Sequence, residues 1–201
     1  MAISCESDRS SNADPVGFKV TTPLIAAIAM PSIVPVQERY AASYRTCLDV
    51  VARERRYLAQ IEALPLEKMQ GFVRQSVATD AIQYFAIDNE VVVGWADIFP
   101  SWAYAVSHCG TLGMGVHPAH RGQGLGRQLL QACIQKAWDK GIARIELEVR
   151  ADNVRAIALY EKLGFEHEAL KPRAMRFDGV YFDALQMRLL HGDAHPRQLL
   201  G

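Results

Sequence analysis

The sequence lacks an excess charge of either sign, a long apolar run, any cysteine framework and any internal repeat, and each absence removes a class of protein. Lysine plus arginine equals aspartate plus glutamate at 22 each. No global field therefore draws the chain to nucleic acid or to an anionic membrane. The apolar run at residues 24–30 is too short to cross a bilayer, and the opening MAISCESDRSSNADP is too polar for a secretory leader. Cys5, Cys47, Cys109 and Cys133 have the spacing of neither a metal site nor a disulfide framework, which suits a reducing cytoplasm. A Gly-Lys-Ser/Thr triplet is missing as well, which excludes a Walker A loop. With 201 residues and no repeat, the chain is expected to form one domain over residues 23–190, flanked by a mobile tail at 1–22 and a short tail at 191–201.

What is present centres on residues 112–140, LGMGVHPAHRGQGLGRQLLQACIQKAWDK. Residues 112–117 have strand composition, and Pro118 ends the strand. Behind a turn containing Gly122, Gly124 and Gly126, the residues Leu125, Leu129, Cys133 and Ala137 recur every four positions, with Leu130, Ile134 and Trp138 as a parallel ridge. That is the stripe of a helix packed on a sheet. Gly141 supplies its stop, and Lys136 and Lys140 suit the negative end of its dipole.

Alternating glycines ahead of a helix leave main-chain N–H groups uncovered at the positive end of the dipole, where an anion is the natural occupant. Arg121 adds a forked cation suited to phosphate oxygens. A dinucleotide fingerprint would need a glycine where Arg127 stands, and too little chain follows for the second half of such a domain.

Elsewhere, residues 32–36 read as an edge strand despite Pro31 and Pro35. A helix is expected over 37–60, with Tyr40, Tyr44, Cys47, Leu48 and Val51 on one face and Arg53 to Arg56 as a solvated patch near its end. A second helix over 66–77 turns Met69, Phe72, Val73 and Val77 inward. Residues 82–88 and 91–99 form a hairpin about Asn89-Glu90. Residues 144–149 alternate as a strand, Asn153 caps a helix ended by Gly164, and residues 165–170 and 180–189 are the last strands, with irregular backbone near Pro172. The expected fold is α/β, a mixed, mostly antiparallel central sheet with helices on both faces.

The order Val116-His117-Pro118 followed by Arg121-Gly122-Gln123-Gly124-Leu125-Gly126 resembles the acetyl-CoA-binding core of the GNAT N-acetyltransferase superfamily. The downstream stretch RIELEVRADNVRAIALYEKLGF is similar to that family's next strand and helix, with Asn153, Ala156, Tyr160, Gly164 and Phe165 at the family's spacings. The resemblance implies acetyl-CoA as co-substrate and no metal. The main chain from Arg121 through Gly122, Gln123, Gly124, Leu125 and Gly126 to Arg127 would bind the pyrophosphate, and Met114, Gly115 and Val116 would meet the pantetheine arm, with Asn153 and Tyr160 beside it. Gly113 and Gly115 would allow close approach or a bulge.

By the same resemblance Tyr160 faces the coenzyme sulfur. A phenol with an ordinary pKa of about 10 matches a leaving thiolate and suits a general acid. Asp97 and Glu148 are the candidate bases, each open to the plainer role of an ion pair or exposed acid, and direct attack without a dedicated base is equally allowed. His117 and His120 lack the helical register of a metal pair. Trp95, Trp102 and Tyr104 are expected to pack in the core or loops. The implied activity is acetyl transfer to a small-molecule or amino-acid amine in the cytoplasm. A peptide acceptor and a CoA-binding module without turnover are the alternatives. No nucleic-acid or membrane partner is expected, and dimers are frequent among relatives.

Overall fold

The structure, a computed structural model, describes residues 31–192. The expectations for segments 1–22 and 24–30, and for all but the first two residues of 191–201, lie outside the described residues. In chain order the elements are β1 (Ser32–Pro35), α1 (Ala41–Arg53), α2 (Leu66–Ala78), β2 (Ile82–Asp88), β3 (Val91–Pro100), β4 (Cys109–Val116), α3 (Leu125–Asp139), β5 (Arg144–Arg150), α4 (Val154–Lys162), β6 (Glu166–Phe177) and β7 (Val180–Leu190). They build one sheet of order β1-β2-β3-β4-β5-β7-β6. Every neighbouring pair is antiparallel except β4–β5. The mixed, mostly antiparallel sheet with helices on both faces is the architecture expected from the sequence.

Two apolar layers hold it together. Under α3 and α4, Leu125, Leu129, Leu130, Cys133 and Ala137 pack on Ile98, Leu112, Ile145, Leu147 and Met187. On the opposite face Tyr44, Cys47, Leu48, Val51, Met69 and Val73 pack on Phe85, Val92 and Trp95. This second layer draws on β2 and β3 but on no residue of β4 to β7, so no helix-borne core covers that face of the C-terminal strands. Truncating a fully buried leucine such as Leu129 to alanine would cost about 2–5 kcal/mol. No helix among the described residues is long and apolar enough to cross a membrane.

The structure departs from the sequence reading at several places. The helix expected over 37–60 is a 3-10 turn, Glu38–Tyr40, followed by α1, which stops at Arg53. Arg55 adopts a left-handed φ of 49°, which a helix cannot continue. In α2 the inward position is Ser76, whereas Val77 is exposed. Trp95 is buried as expected, but Trp102 and Tyr104 are 97% and 95% exposed and pack in no core. Strand β6 runs well past Leu170, with its register shifting between Lys171 and Met175 around Pro172. No bulge interrupts β3–β4 at Gly113 or Gly115. Those glycines serve packing across the ladder. A Cβ on Gly115 would lie 2.2 Å from the Trp95 ring, and one on Gly113 would lie 2.8 Å from Asp97 Oδ1.

Candidate active site

The site starts where β4 and β5 part. Their parallel pairing is confined to Cys109, Gly110 and Thr111 against Arg144, Ile145 and Glu146. Strand β4 then continues to Val116 bonded only to β3, and β5 to Arg150 bonded only to β7. The unpaired edges from Leu112 and Leu147 onward therefore form a wedge lined with main-chain donors and acceptors that no described strand takes, the Val116 carbonyl being held by Arg121. An extended, amide-bearing ligand completes such an edge in the manner of an added strand. Met114, Gly115 and Val116 line one side of it.

Past Val116 the chain makes a 3-10 turn, Pro118–His120, with His117 Nδ1 accepting from the Ala119 N–H at 3.3 Å. The glycine turn follows. Gly122 and Gly124 have φ of +83° and +81°, left-handed values that a side chain would strain, and Gly124 is the N-cap of α3. Among the described residues, no main-chain N–H from Gly122 to Arg127 donates to a carbonyl, whereas those of Arg121 and Gln128 do. Gly126 lies within the first turn of α3, where a Cβ would stand 3.2 Å from both Leu159 and Met114, so it lets α3 close on α4 and β4.

Charge accumulates at this point. Arg127 in the first turn of α3 and Arg155 in the first turn of α4 sit at positive dipole ends, where a cation is disfavoured. A Cβ on Gly122 would lie 2.8 Å from Arg155 Nη2, so the guanidinium borders the turn. Neither arginine has an acid partner among the described residues, whereas Arg55, Arg121 and Arg150 pair with Asp178, Glu54 and Asp152. Arg155 escaped the sequence reading. Its signal was a basic residue where the helix dipole favours an acid.

Arg121 is placed otherwise than expected. Its Nε donates to the Val116 carbonyl at 2.9 Å, and Nη1 and Nη2 reach the two Glu54 carboxylate oxygens at 2.9 and 2.6 Å. It is a bolt between β4 and the end of α1, rather than a cation held free for phosphate. Gln123 folds back on the Ala119 carbonyl at 3.4 Å.

Tyr160 is buried on α4 against Phe165, ring centroids 5.7 Å apart, in the layer that holds Leu112 and Leu147 at the mouth of the wedge. Burial pushes its phenol well above the ordinary value, so it stays protonated and able to donate. Asn153 caps the same helix, Oδ1 accepting from the Ala156 N–H at 3.3 Å. The two proposed bases have different surroundings. Asp97 lies opposite Gly113 on β4 and Gln83 on β2, and burial pushes its carboxyl up to about 7, opposed in part by the Gln83 amide. That amide makes no hydrogen bond of good geometry despite complete burial. Glu148 projects from β5 beyond its last pairing with β4, on the face without a helix-borne core, and takes the Lys171 ammonium of β6. His120 meets Asp88 at 3.2 Å, and no group of three or more metal-type side chains occurs among the described residues.

Residues 45–165, more than half of the chain, match the family described as Acetyltransferase (GNAT) family. The chain belongs to that family. It is 47% identical over 58 residues to the [Ribosomal protein bS18]-alanine N-acetyltransferase of Escherichia coli K12, a match covering 29% of this chain and 39% of the relative. It is 34% identical over 107 residues to the L-methionine sulfoximine/L-methionine sulfone acetyltransferase of Salmonella typhimurium, covering 51% and 60%. The matched parts span only 26% to 66% of the lengths of such curated relatives. Among solved structures, the fold is shared with a GNAT superfamily phosphinothricin acetyltransferase from Sinorhizobium meliloti in complex with AcCoA, at a TM-score of 0.75 and 17% identity, covering 82% of this chain and 90% of the other.

Proposed function

We propose that the chain is an acetyl-CoA-dependent N-acetyltransferase whose acceptor is a small primary amine, foremost the α-amine of an amino acid. The observation that carries this reading is the β4–β5 wedge leading straight onto the glycine turn. An extended amide-bearing arm fits the first, and a pyrophosphate fits the second. The uncovered N–H groups of Gly122 to Arg127 and the Arg155 guanidinium would hold the diphosphate, and the free edge of Met114 to Val116 would hold the arm. The same edge would polarise the thioester carbonyl.

With the carbonyl held there, the acceptor nitrogen attacks its carbon, the C–N bond forms and the C–S bond breaks. Glu148, exposed on β5 beside the wedge, accepts the proton lost by the amine, while Tyr160 donates one to the departing thiolate. The Lys171 ammonium seated on Glu148 marks a place that accommodates a cationic amine. Asp97 is buried on β3, one strand back from that edge. The names of the relatives divide between a protein and a small-molecule acceptor, one specifying an alanine of a ribosomal protein and the other derivatives of L-methionine.

A second reading, acetylation of a peptide amino terminus, is favoured by one feature. The face of β5, β7 and β6 that carries Glu148 also carries Arg144, Glu168 and Arg188 in a connected charged strip, long enough to lay a chain along. Acetyl-CoA consumption against pooled amino acids, polyamines and amino-terminal peptides separates the two. Gly124→Glu, which places a carboxylate at the turn, should abolish acetyl-CoA binding by calorimetry while leaving the circular dichroism spectrum intact. Undiminished affinity would refute the site.

A further inference from the structure

Four consecutive residues after α1 reach three different parts of the site. Glu54 takes the Arg121 guanidinium beside the glycine turn. Arg55 pairs with Asp178 in the β6–β7 turn at 2.8 Å. The Arg56 carbonyl accepts from Arg150 Nη1 at 2.9 Å, and the Tyr57 ring centroid lies 5.6 Å from the Arg150 guanidinium carbon. This segment has no helix or strand of its own, and residues 54–62 are exposed except for the half-buried Tyr57 and Leu58. Its place is set by polar ties.

Arg150 is the hub of those ties. Its side chain is only 6% exposed, its guanidinium carbon lies 3.7 Å from the Phe182 ring centroid of β7, and Nε and Nη2 grip the Asp152 carboxylate. One planar group thus stacks on the β6–β7 hairpin, holds the cap region of α4 and clasps the strap. Only a rigid fork with donors pointing in several directions does this at once.

We infer that Arg150 is a positioning residue, which sets the strap of residues 54–57 in register between the coenzyme turn and the β6–β7 hairpin and thereby shapes the acceptor entrance. The acceptor side of this inference rests on the function proposed above. Arg150 touches neither reacting atom and acts through the strap. Arg150→Lys keeps the charge, yet an ammonium cannot hold Asp152, reach the Arg56 carbonyl and lie flat on Phe182 together.

The test combines amide hydrogen exchange with steady-state kinetics on the full chain. Exchange at the Arg55 amide, which donates to the Ala52 carbonyl at 2.9 Å, should quicken by about tenfold in Arg150→Lys, with α1 and α3 unchanged. The acceptor KM should rise by about tenfold, while kcat and the acetyl-CoA Kd stay within about threefold of wild type. Unchanged exchange over the strap, or a fall in kcat alone in proportion to folded fraction, overturns the inference. If Arg150→Lys does not fold, the exposed latch decides. Arg55→Ala and Asp178→Ala should each raise acceptor KM by about threefold and the double variant no further, since both open one contact. Independent effects, or none, overturn it. Should the wild type acetylate no amine, the proposed function fails, while the exchange experiment still decides the strap.

Discussion

Replacing Asp97 by asparagine tests the interior of the site through the pH dependence of stability. Burial raises the Asp97 carboxyl from the ordinary 3.8 to about 7 in the folded chain. Between those values the unfolded chain has released its proton while the folded chain keeps it, so rising pH favours unfolding. The stability of the wild type should therefore fall through this window and level off above about pH 7. The gap, at about 1.4 kcal/mol per pH unit, amounts to about 4 kcal/mol.

Asparagine has nearly the same shape, meets the same Gln83 amide and cannot ionise. The stability difference between Asp97→Asn and wild type should thus climb by about 4 kcal/mol from pH 4 to pH 8 in favour of the variant, on top of any constant offset. Urea denaturation at half-unit pH intervals, followed by tryptophan fluorescence of the neighbouring Trp95 layer, measures it directly. A difference that stays flat across the window would mean that the carboxyl ionises freely in the folded chain, by solvent reaching it or by a partner amine. That result would refute the burial argument and favour Asp97 over Glu148 as the base.

Three further outcomes are expected. Tyr160→Phe removes a hydroxyl and little packing, so kcat should fall by about tenfold or more with the acetyl-CoA KM nearly unchanged; equal kcat would remove the phenol from the mechanism. Arg155→Ala should weaken acetyl-CoA binding by about tenfold at low salt and flatten its salt dependence, both readable by calorimetry at two ionic strengths. Gly115→Ala forces a methyl against the Trp95 ring and should cost about 1–3 kcal/mol in denaturant unfolding, whereas Gly124→Ala, with open space around it, should cost only the roughly 1 kcal/mol of its left-handed φ.

The fold was legible wherever the determining pattern was local. The four-residue recurrence from Leu125 to Ala137 placed α3, because a helix returns to the same face every turn. The Asn89-Glu90 hairpin turn, the stop at Gly141 and the alternation in β5 were likewise written in neighbouring residues. So was the glycine spacing that leaves N–H groups bare above α3, and with it the family. The end of α1 was less legible, since its composition stays helix-compatible to Gln60 while Arg55 turns left-handed and pairs with the distant Asp178.

Other features belong to the tertiary structure alone. Arg121 and Glu54 are 67 positions apart and Arg150 and Arg56 are 94 apart, so no periodicity joins them. Asp97 and Glu148 read alike as acids in strands. Their difference arises because α1 and α2 cover β3 while that face of β5 carries no such layer. The amino-acid sequence by itself determined most of the segments that become helix and strand and where main-chain N–H groups stand bare ahead of a helix. The packing of the sheet decided which carboxylate is buried, which acid each paired arginine meets and where two strands part, because burial and pairing depend on which surfaces the chain topology brings together.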